Sequence, residues 1–217
     1  MQLIDTSIEL LDIKPRDEVY KKLEQCGRVA YKSEDRITDD SAIPFIRSLI
    51  KRGHESVLEH ESVTVRITTD RATANALVRH RIAAYTQEST IYCDYQGEVA
   101  FRKPFFLPNS LAEVIWQNAM EEAERAYVAL RELGVKPGIA RDVLPNATKT
   151  ELIATYDLRM WRHVIRTRMA PGDSYGMHLV IALIYNSLSC AYPILFEDIK
   201  DNGSLDKAVR MYHEYNC

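Results

Sequence analysis

Two arginines flank a histidine at Arg79-His80-Arg81, and a serine follows after seven intervening residues, at Ser89. Each guanidinium carries a rigid fork of N–H donors that fits a phosphate or a planar carbonyl group through two hydrogen bonds. Two such forks beside an imidazole suit an anionic or dinucleotide ligand. The same cations are also favoured at a solvated helix end by the helix dipole. The residue types alone leave both interpretations open.

Three other segments extend this pattern: Gly53-His54-Glu55-Ser56-Val57-Leu58-Glu59-His60, Gln87-Glu88-Ser89-Thr90 and the basic stretch Leu158–Arg168. Together with the spacing above, they resemble the signature of the flavin-dependent thymidylate synthases. The resemblance covers most of the chain, from about Tyr20 to Ile199. It implies that FAD is the cofactor for reductive methylation of dUMP at C5 to dTMP. Methylenetetrahydrofolate would donate the carbon, and NADPH would be the reductant.

The resemblance also implies a role for each site residue. Arg168 would be catalytic, because a cation against the uracil ring stabilises negative charge at N3 and O4 and makes C5 more nucleophilic. Without the resemblance, Arg168 would be interpreted as a helix C-terminal arginine favoured by the dipole. The residues expected to bind FAD are His54, Ser56, Arg79, His80, Arg81, Gln87, Asp157, Arg159 and His163. Those expected to bind the nucleotide are Arg79, Gln87, Glu88, Ser89, Thr90, Arg141 and Arg168.

Other chemistries are weaker interpretations of the same residues. Ser89 has no evident base beside it, so we expect it to bind rather than attack. Cys93 is the cysteine nearest the motif, but nothing next to it in sequence would activate its thiol, and a structural role is expected. His54 and His60 are six residues apart, which does not place them on one helix face, and no third ligand stands nearby. No metal is expected.

The sequence departs from the family pattern at several positions. The family usually has an arginine where this chain has Ile91, and losing that charged phosphate contact would cost roughly 1.5–3 kcal/mol. Ala76 replaces a usual glutamine, Asp157 replaces an asparagine, and Gly172–His178 replaces a histidine-containing segment. These changes concentrate on the nucleotide and folate side, so flavin binding is the firmer expectation. A different pyrimidine nucleotide such as UMP, or a non-catalytic flavin-binding relic, remains an alternative.

Composition indicates an ordinary single domain over residues 1–217, with 46% hydrophobic and 27% charged residues. The formal net charge of −3 does not favour nucleic acid as a partner. Four scattered cysteines and a start without a leader pattern predict a cytoplasmic protein without disulfides. The resemblance implies a homotetramer with active sites shared between subunits.

One uncharged run, Ser174–Phe196, is about long enough to span a bilayer. It contains His178, Asn186 and Pro193, and it lacks aromatic and basic flanks. We therefore expect a helix buried on most sides, against another subunit, and not a membrane span. Such an extensive interface would agree with the homotetramer that the resemblance implies.

Hydrophobic spacing predicts the elements that position these residues. Helices are expected over Pro15–Tyr31, Thr38–Gly53, Arg71–Val78, Ser110–Gly134, Ile139–Pro145 and Leu158–Arg168, and strands within Leu3–Ile13, Val63–Thr68, Gly97–Phe106 and Thr148–Tyr156. Asp70 and Asp157 are expected N-caps, and Gly53 is an expected helix stop. Residues 83–95 and the tail after Pro193 give no clear assignment. We predict an α+β fold: a mixed, mostly antiparallel sheet flanked by helices, as a single domain in a homo-oligomer.

Overall fold

The computed structural model describes residues 1–104 and 110–216. The strands are β1 (Gln2–Ile4), β2 (Ser7–Leu10), β3 (Ser62–Asp70), β4 (Ala84–Gln87), β5 (Ala100–Arg102) and β6 (Lys149–Asp157). The α-helices are α1 (Arg16–Val29), α2 (Ala42–Lys51), α3 (Arg71–Leu77), α4 (Ser110–Glu132), α5 (Pro137–Ala140), α6 (Leu158–Arg168), α7 (Tyr175–Ala191), α8 (Pro193–Phe196) and α9 (Ser204–Asn216). Short 3-10 turns cover Glu34–Arg36, Glu55–His60 and Arg141–Val143.

The main sheet has four antiparallel strands in the order β2-β3-β6-β4. Strands β3 and β6 pair over their full length, from Ser62 opposite Asp157 to Asp70 opposite Lys149. Alternate side chains on both strands are buried, which is the period of two that a half-buried strand requires. A separate two-stranded sheet pairs β1 with β5 in parallel. The α+β fold with a mostly antiparallel sheet is thereby confirmed.

The largest core lies between this sheet and α7. Helix α7 packs against β2, β3, α3, α6, α8 and α9 of its own chain. The uncharged run Ser174–Phe196 therefore forms an internal helix, with Val180, Ile181 and Ile184 fully buried. Contacts within one chain account for its apolar character, and packing against another subunit stays a prediction. Within residues 1–104 and 110–216, no helix is long and apolar enough to cross a membrane.

Several elements differ from the sequence prediction. Strand β4 was not predicted, because its four residues alternate only between exposed and half-buried. Helix α9 was not predicted from the charged tail either. Helix α3 ends at Leu77, so Arg79–Arg81 follow it rather than complete it. The residue preceding α2 is Ser41, whose hydroxyl accepts from Thr38 N at 2.8 Å. The predicted end of the Gly97–Phe106 segment lies outside the described residues.

Candidate active site around Arg168

Arg168 is the last residue of α6, and its guanidinium is anchored by three acceptors. Its Nε donates to His80 Nε2 at 2.8 Å, Nη1 donates to Asp173 Oδ2 at 3.1 Å, and Nη2 donates to the carbonyl oxygen of Ala76 at 2.6 Å. A guanidinium has five N–H donors. Among the described residues, one N–H on each terminal nitrogen is left without a partner. Those two N–H groups of the guanidinium remain as donors for a ligand.

His80 connects Arg168 to the exposed face of α6. Its Nε2 accepts from Arg168, so the neutral tautomer carries its proton on Nδ1. Burial lowers the pKa of His80, and the charge of Arg168 lowers it further, while Asp173 opposes the shift. The His80 and His163 rings meet edge to face, with centroids 6.0 Å apart. His80 is therefore held uncharged between two site residues.

The loop that carries His80 is fixed by Tyr85 on β4. The Tyr85 hydroxyl donates to the carbonyl oxygens of His80 and Leu77, at 2.7 and 3.1 Å. Its oxygen contacts the hydroxyl of Tyr156, whose ring packs edge to face on Trp161. Burial raises the pKa of both phenols, which keeps them protonated as donors. The segment after α3 is thus tied to the sheet and not left as a free loop.

A pocket of about 650 Å³ opens along α6. Its lining combines three predicted residues with five that were not predicted: Asp157, Arg159 and His163, then Glu55, Glu59, Ile82, Met160 and Arg166. Asp157 also caps α6, accepting from Met160 N at 2.7 Å, as predicted. Arg159 and His163 lie one turn apart on the same side of the helix.

The pocket residues fit part of a flavin nucleotide. Ile82 and Met160 offer apolar contact for a ring system, and Arg159 offers a cation for a phosphate. Three carboxylates also line the pocket. Asp157 caps α6, and the other two are paired with arginines. Glu59 pairs with Arg159, and Glu55 pairs with arginines further along α6. The volume lies within the range of small-molecule and cofactor pockets.

A cluster of four charges supports the pocket wall. Arg162 is fully buried and donates to Glu55 Oε1 at 2.9 Å and to both oxygens of Asp198 at 2.8 and 2.7 Å. Arg166 contacts the same two carboxylates at 3.2 and 2.8 Å. Burial opposes ionisation of Glu55 and Asp198, but the hydrogen bonds and charge of Arg162 hold the pKa of each below its usual value. Sequence reasoning missed this cluster, although Arg162 and Arg166 stand four residues apart on a predicted helix.

Five of the seven expected nucleotide residues, all except Arg79 and Arg168, form a second group at the far end of β4. Gln87 Nε2 donates to Thr150 Oγ1 at 3.2 Å, and Glu88 accepts from Lys149 Nζ at 2.9 Å and from Tyr95. Burial opposes the charge of Lys149, but hydrogen bonds to Glu151 and Glu88 raise its pKa. These residues border a shallow cavity of about 330 Å³ on the sheet.

Ser89, Thr90 and Arg141 lie next to that group. Arg141 Nη1 donates to Thr90 Oγ1 at 3.0 Å, which brings two predicted nucleotide residues together. Among the described residues, the Ser89 hydroxyl accepts only from the amide of Ile91, at 3.3 Å, and no base contacts it. Within the described part of the chain, no hydrogen bond or ion pair joins this group to Arg168.

Besides Gln87 and His80, four further predicted FAD residues do not line the α6 pocket, and all four are exposed. His54 Nδ1 is 2.8 Å from the Tyr31 hydroxyl, and both side chains are exposed. Ser56, Arg79 and Arg81 are exposed too, and the structure gives neither arginine an ion pair or side-chain hydrogen bond within residues 1–104 and 110–216. The structure thus joins Arg168, His80, His163, Arg159 and Asp157 but not these four.

Two other sequence expectations can be compared with the described residues. Cys26, Cys93 and Cys190 are free thiols, while Cys217 is not described. No group of three or more histidine, cysteine or acidic side chains with metal-binding geometry occurs in residues 1–104 and 110–216.

Known proteins share both the sequence pattern and the fold. The family model described as thymidylate synthase complementing protein matches residues 9–194. A flavin-dependent thymidylate synthase of Geobacter sulfurreducens is 30% identical over 203 residues, which cover 88% of this chain and 85% of that protein. One of Pyrococcus furiosus is 33% identical over 149 residues, which cover 66% and 61% of the two chains.

Among solved structures, the UMP/dUMP methylase PolB of Streptomyces cacaoi bound with 5-Br dUMP superposes with a TM-score of 0.78. The identity is 23%, and the match covers 91% of this chain and 96% of that one. Its complex with 5-Br UMP gives a TM-score of 0.76 at 22% identity. At these identities, the similarity to the solved structures shows a shared fold only. Family membership follows from the family model and from the related sequences. The chain belongs to the family of flavin-dependent thymidylate synthases.

Proposed function

We propose that this protein methylates dUMP reductively at C5 to give dTMP, with FAD as cofactor and methylenetetrahydrofolate and NADPH as co-substrates. The observation that carries the proposal is the Arg168 guanidinium, which is fixed by three protein acceptors and keeps one N–H on each terminal nitrogen for a ligand. The carbonyl oxygens O2 and O4 of uracil are acceptors for such donors. We place the reaction in the cytoplasm.

Arg168 would act by electrostatic stabilisation. C5 is more nucleophilic when the base carries negative charge on N3 and O4, and a cation fixed in advance stabilises that charge without reorganising. His80 keeps the fork oriented because its neutral Nε2 accepts from Arg168 Nε. The chain thus supplies orientation and charge, while bound FAD would supply hydride chemistry.

We assign FAD binding to Asp157, Arg159 and His163 along the α6 pocket, with His80 next to His163. The exposed Arg79 and Arg81, together with His54, Ser56 and Gln87, would complete the site from a neighbouring subunit of a homotetramer. The exposure of both arginines supports this arrangement. So does the apolar face of α4, where Leu111 and Ile115 are 67% and 62% exposed.

UMP is the second candidate substrate, and Ile91 is the observation that favours it. Ile91 is 48% exposed and follows Thr90, the residue that Arg141 contacts. An apolar side chain there removes the cation that the family uses for the substrate phosphate. The Streptomyces cacaoi protein with this fold is described as acting on both UMP and dUMP. Glu88, Ser89, Thr90 and Arg141 would hold either nucleotide.

Binding calorimetry with dUMP, UMP and dCMP tests this choice on the FAD-loaded protein. Tight binding of dUMP supports thymidylate formation and shows that the Ile91 change is compensated. Preference for UMP would move the assignment to the second candidate. A yellow protein that binds no pyrimidine nucleotide and oxidises no NADPH would contradict both and indicate a non-catalytic relic.

A further inference from the structure

We infer that Asp173 is a positioning residue that orients the Arg168 guanidinium and reduces the positive charge presented to a bound pyrimidine base. This inference rests on the proposed function. Asp173 lies in the segment Gly172–His178, where the sequence departs from the family pattern. None of the motifs described above includes it.

Hydrogen bonds hold the Asp173 carboxylate in place between α6 and α7. Its Oδ2 accepts from Arg168 Nη1 at 3.1 Å, and its Oδ1 accepts from the backbone N of Ser174 at 2.9 Å. Ser174 caps α7 by accepting from Met177 N at 3.2 Å. Both carboxylate oxygens are therefore used, and the side chains of Asp173 and Arg168 are each only 19% exposed. A carboxylate held in this way fixes one edge of the guanidinium.

Among the three acceptors of the Arg168 guanidinium, Asp173 is the anionic one. The other two acceptors are the neutral His80 imidazole, on the segment after α3, and the Ala76 carbonyl, within α3. His163 on α6 and the phenols of Tyr85 on β4 and Tyr156 on β6 are nearby titratable groups, and the environment keeps both phenols protonated. Asp173 therefore sets the net charge of the cluster.

We expect the Asp173–Arg168 pair to select the bound ligand by the ligand's charge. A lone half-buried arginine favours an anion, such as a phosphate or an N3-deprotonated base. Pairing with Asp173 offsets much of that charge but leaves the two remaining N–H donors in place. These donors then suit a carbonyl oxygen of an uncharged uracil. They still stabilise partial negative charge as that charge develops.

The test is the ionisation of N3 in bound 5-bromo-dUMP or 5-bromo-UMP, followed by ultraviolet difference spectra against pH on the FAD-loaded protein. A nearby opposite charge shifts a pKa by roughly 1–3 units. Because Asp173 acts through Arg168, we expect Asp173→Asn to lower the N3 pKa of the bound ligand by about 1 unit. Asp173→Glu keeps the charge and should restore the wild-type value. Asp173→Ser is a second uncharged variant, and should lower the N3 pKa if the Asn variant fails to fold.

Asp201→Asn is the matched control. Asp201 accepts from the backbone amides of Leu205 and Asp206 at the start of α9 and has no contact with Arg168. Its substitution should leave the N3 pKa unchanged. If the Asn and Ser variants bind the bromonucleotide without lowering its N3 pKa, the inference about Asp173 is wrong, while the proposed function is unaffected. If the wild-type protein binds neither bromonucleotide, the proposed function fails, and the inference fails with it.

Discussion

Arg168 is the residue on which the proposed chemistry depends, because three acceptors fix its fork before any ligand binds. Lysine at this position would keep one positive charge but lose the planar fork and its anchors. We expect Arg168→Lys to fold and to lower kcat by about 10²–10³-fold, the usual loss for one oriented donor at a developing charge. Steady-state NADPH oxidation measures this.

Arg125→Lys is the matched control for that substitution. Arg125 is exposed on α4, and its one ion pair among the described residues is with Glu122, so its replacement should leave kcat unchanged. If Arg168→Lys turned over as fast as this control, the fork would have no part in catalysis.

His80 makes both stability and activity depend on pH. Burial lowers its pKa below the usual value of 6.5. As pH falls through about 6.5, the unfolded chain takes up this proton before the folded protein does, so the free energy of unfolding decreases with decreasing pH. The decrease stops once pH is below the pKa of His80 in the folded protein. Protonation there also removes the acceptor for Arg168 Nε.

Chemical denaturation at several pH values between about 7 and 5 tests this linkage. We expect His80→Gln to flatten the pH dependence relative to the wild-type protein. His213→Gln, at an exposed position on α9, should keep the wild-type slope. Equal slopes for His80→Gln and the wild-type protein would show that His80 does not carry the effect.

At the scale of elements, helix α6 carries Arg159, His163 and Arg168, and Asp157 caps its first turn. Asp157 accepts from Met160 N at 2.7 Å. Asp157→Ala should lower the free energy of unfolding by about 1 kcal/mol, the typical value of an N-cap. Asp157→Asn should retain most of it, because asparagine caps comparably. Urea denaturation measures both, and an equal loss in the two variants would show that the carboxylate charge matters more than the cap.

The buried Arg162 cluster is expected to contribute more than a surface ion pair. Arg162→Met keeps side-chain volume but leaves Glu55 and Asp198 with less compensation, so we expect a loss of about 3–5 kcal/mol. Arg47→Met breaks an exposed pair with Glu197 and should cost less than about 1 kcal/mol. Differential scanning calorimetry of both variants compares them. Equal melting temperatures would contradict a structural role for the cluster.

Sequence patterns predicted the elements whose burial has a clear period. Strands β3 and β6 alternate, and the caps Asp70 and Asp157 begin the two helices that frame the site. Strand β4 was not predictable, because its strand character comes from pairing with β6 and not from its own residues.

Contacts between distant residues escaped sequence reasoning. His80 and Arg168 are 88 residues apart, and nothing in their local sequence shows that one accepts from the other. The contact between Glu55 and Arg162, which are 107 residues apart, was missed for the same reason. The family resemblance indicated which residues to expect at the site. Only the fold shows that the residues expected to bind FAD along α6 lie apart from the nucleotide group at the end of β4 within one chain.

At the scale of the whole molecule, this separation predicts a shared site. We expect light scattering to show a homotetramer, in which exposed residues of one subunit complete the α6 pocket of another. Ile115→Asp, on the apolar face of α4, should weaken assembly and FAD binding together while leaving the melting temperature of the subunit nearly unchanged, because the side chain is 62% exposed. Asn118→Asp, at another exposed position on α4, is the control. A wild-type monomer that binds FAD fully would contradict the shared site.

The most direct test of the proposed function is anaerobic turnover by the purified protein with FAD, NADPH and isotopically labelled methylenetetrahydrofolate. Parallel reactions contain dUMP or UMP, and mass spectrometry identifies the nucleotide product. We predict labelled dTMP from dUMP, or the C5-methylated ribonucleotide if UMP is preferred, and no labelled product from Arg168→Lys beyond a small fraction of the wild-type yield. An FAD-loaded wild-type protein that labels neither nucleotide would contradict the account.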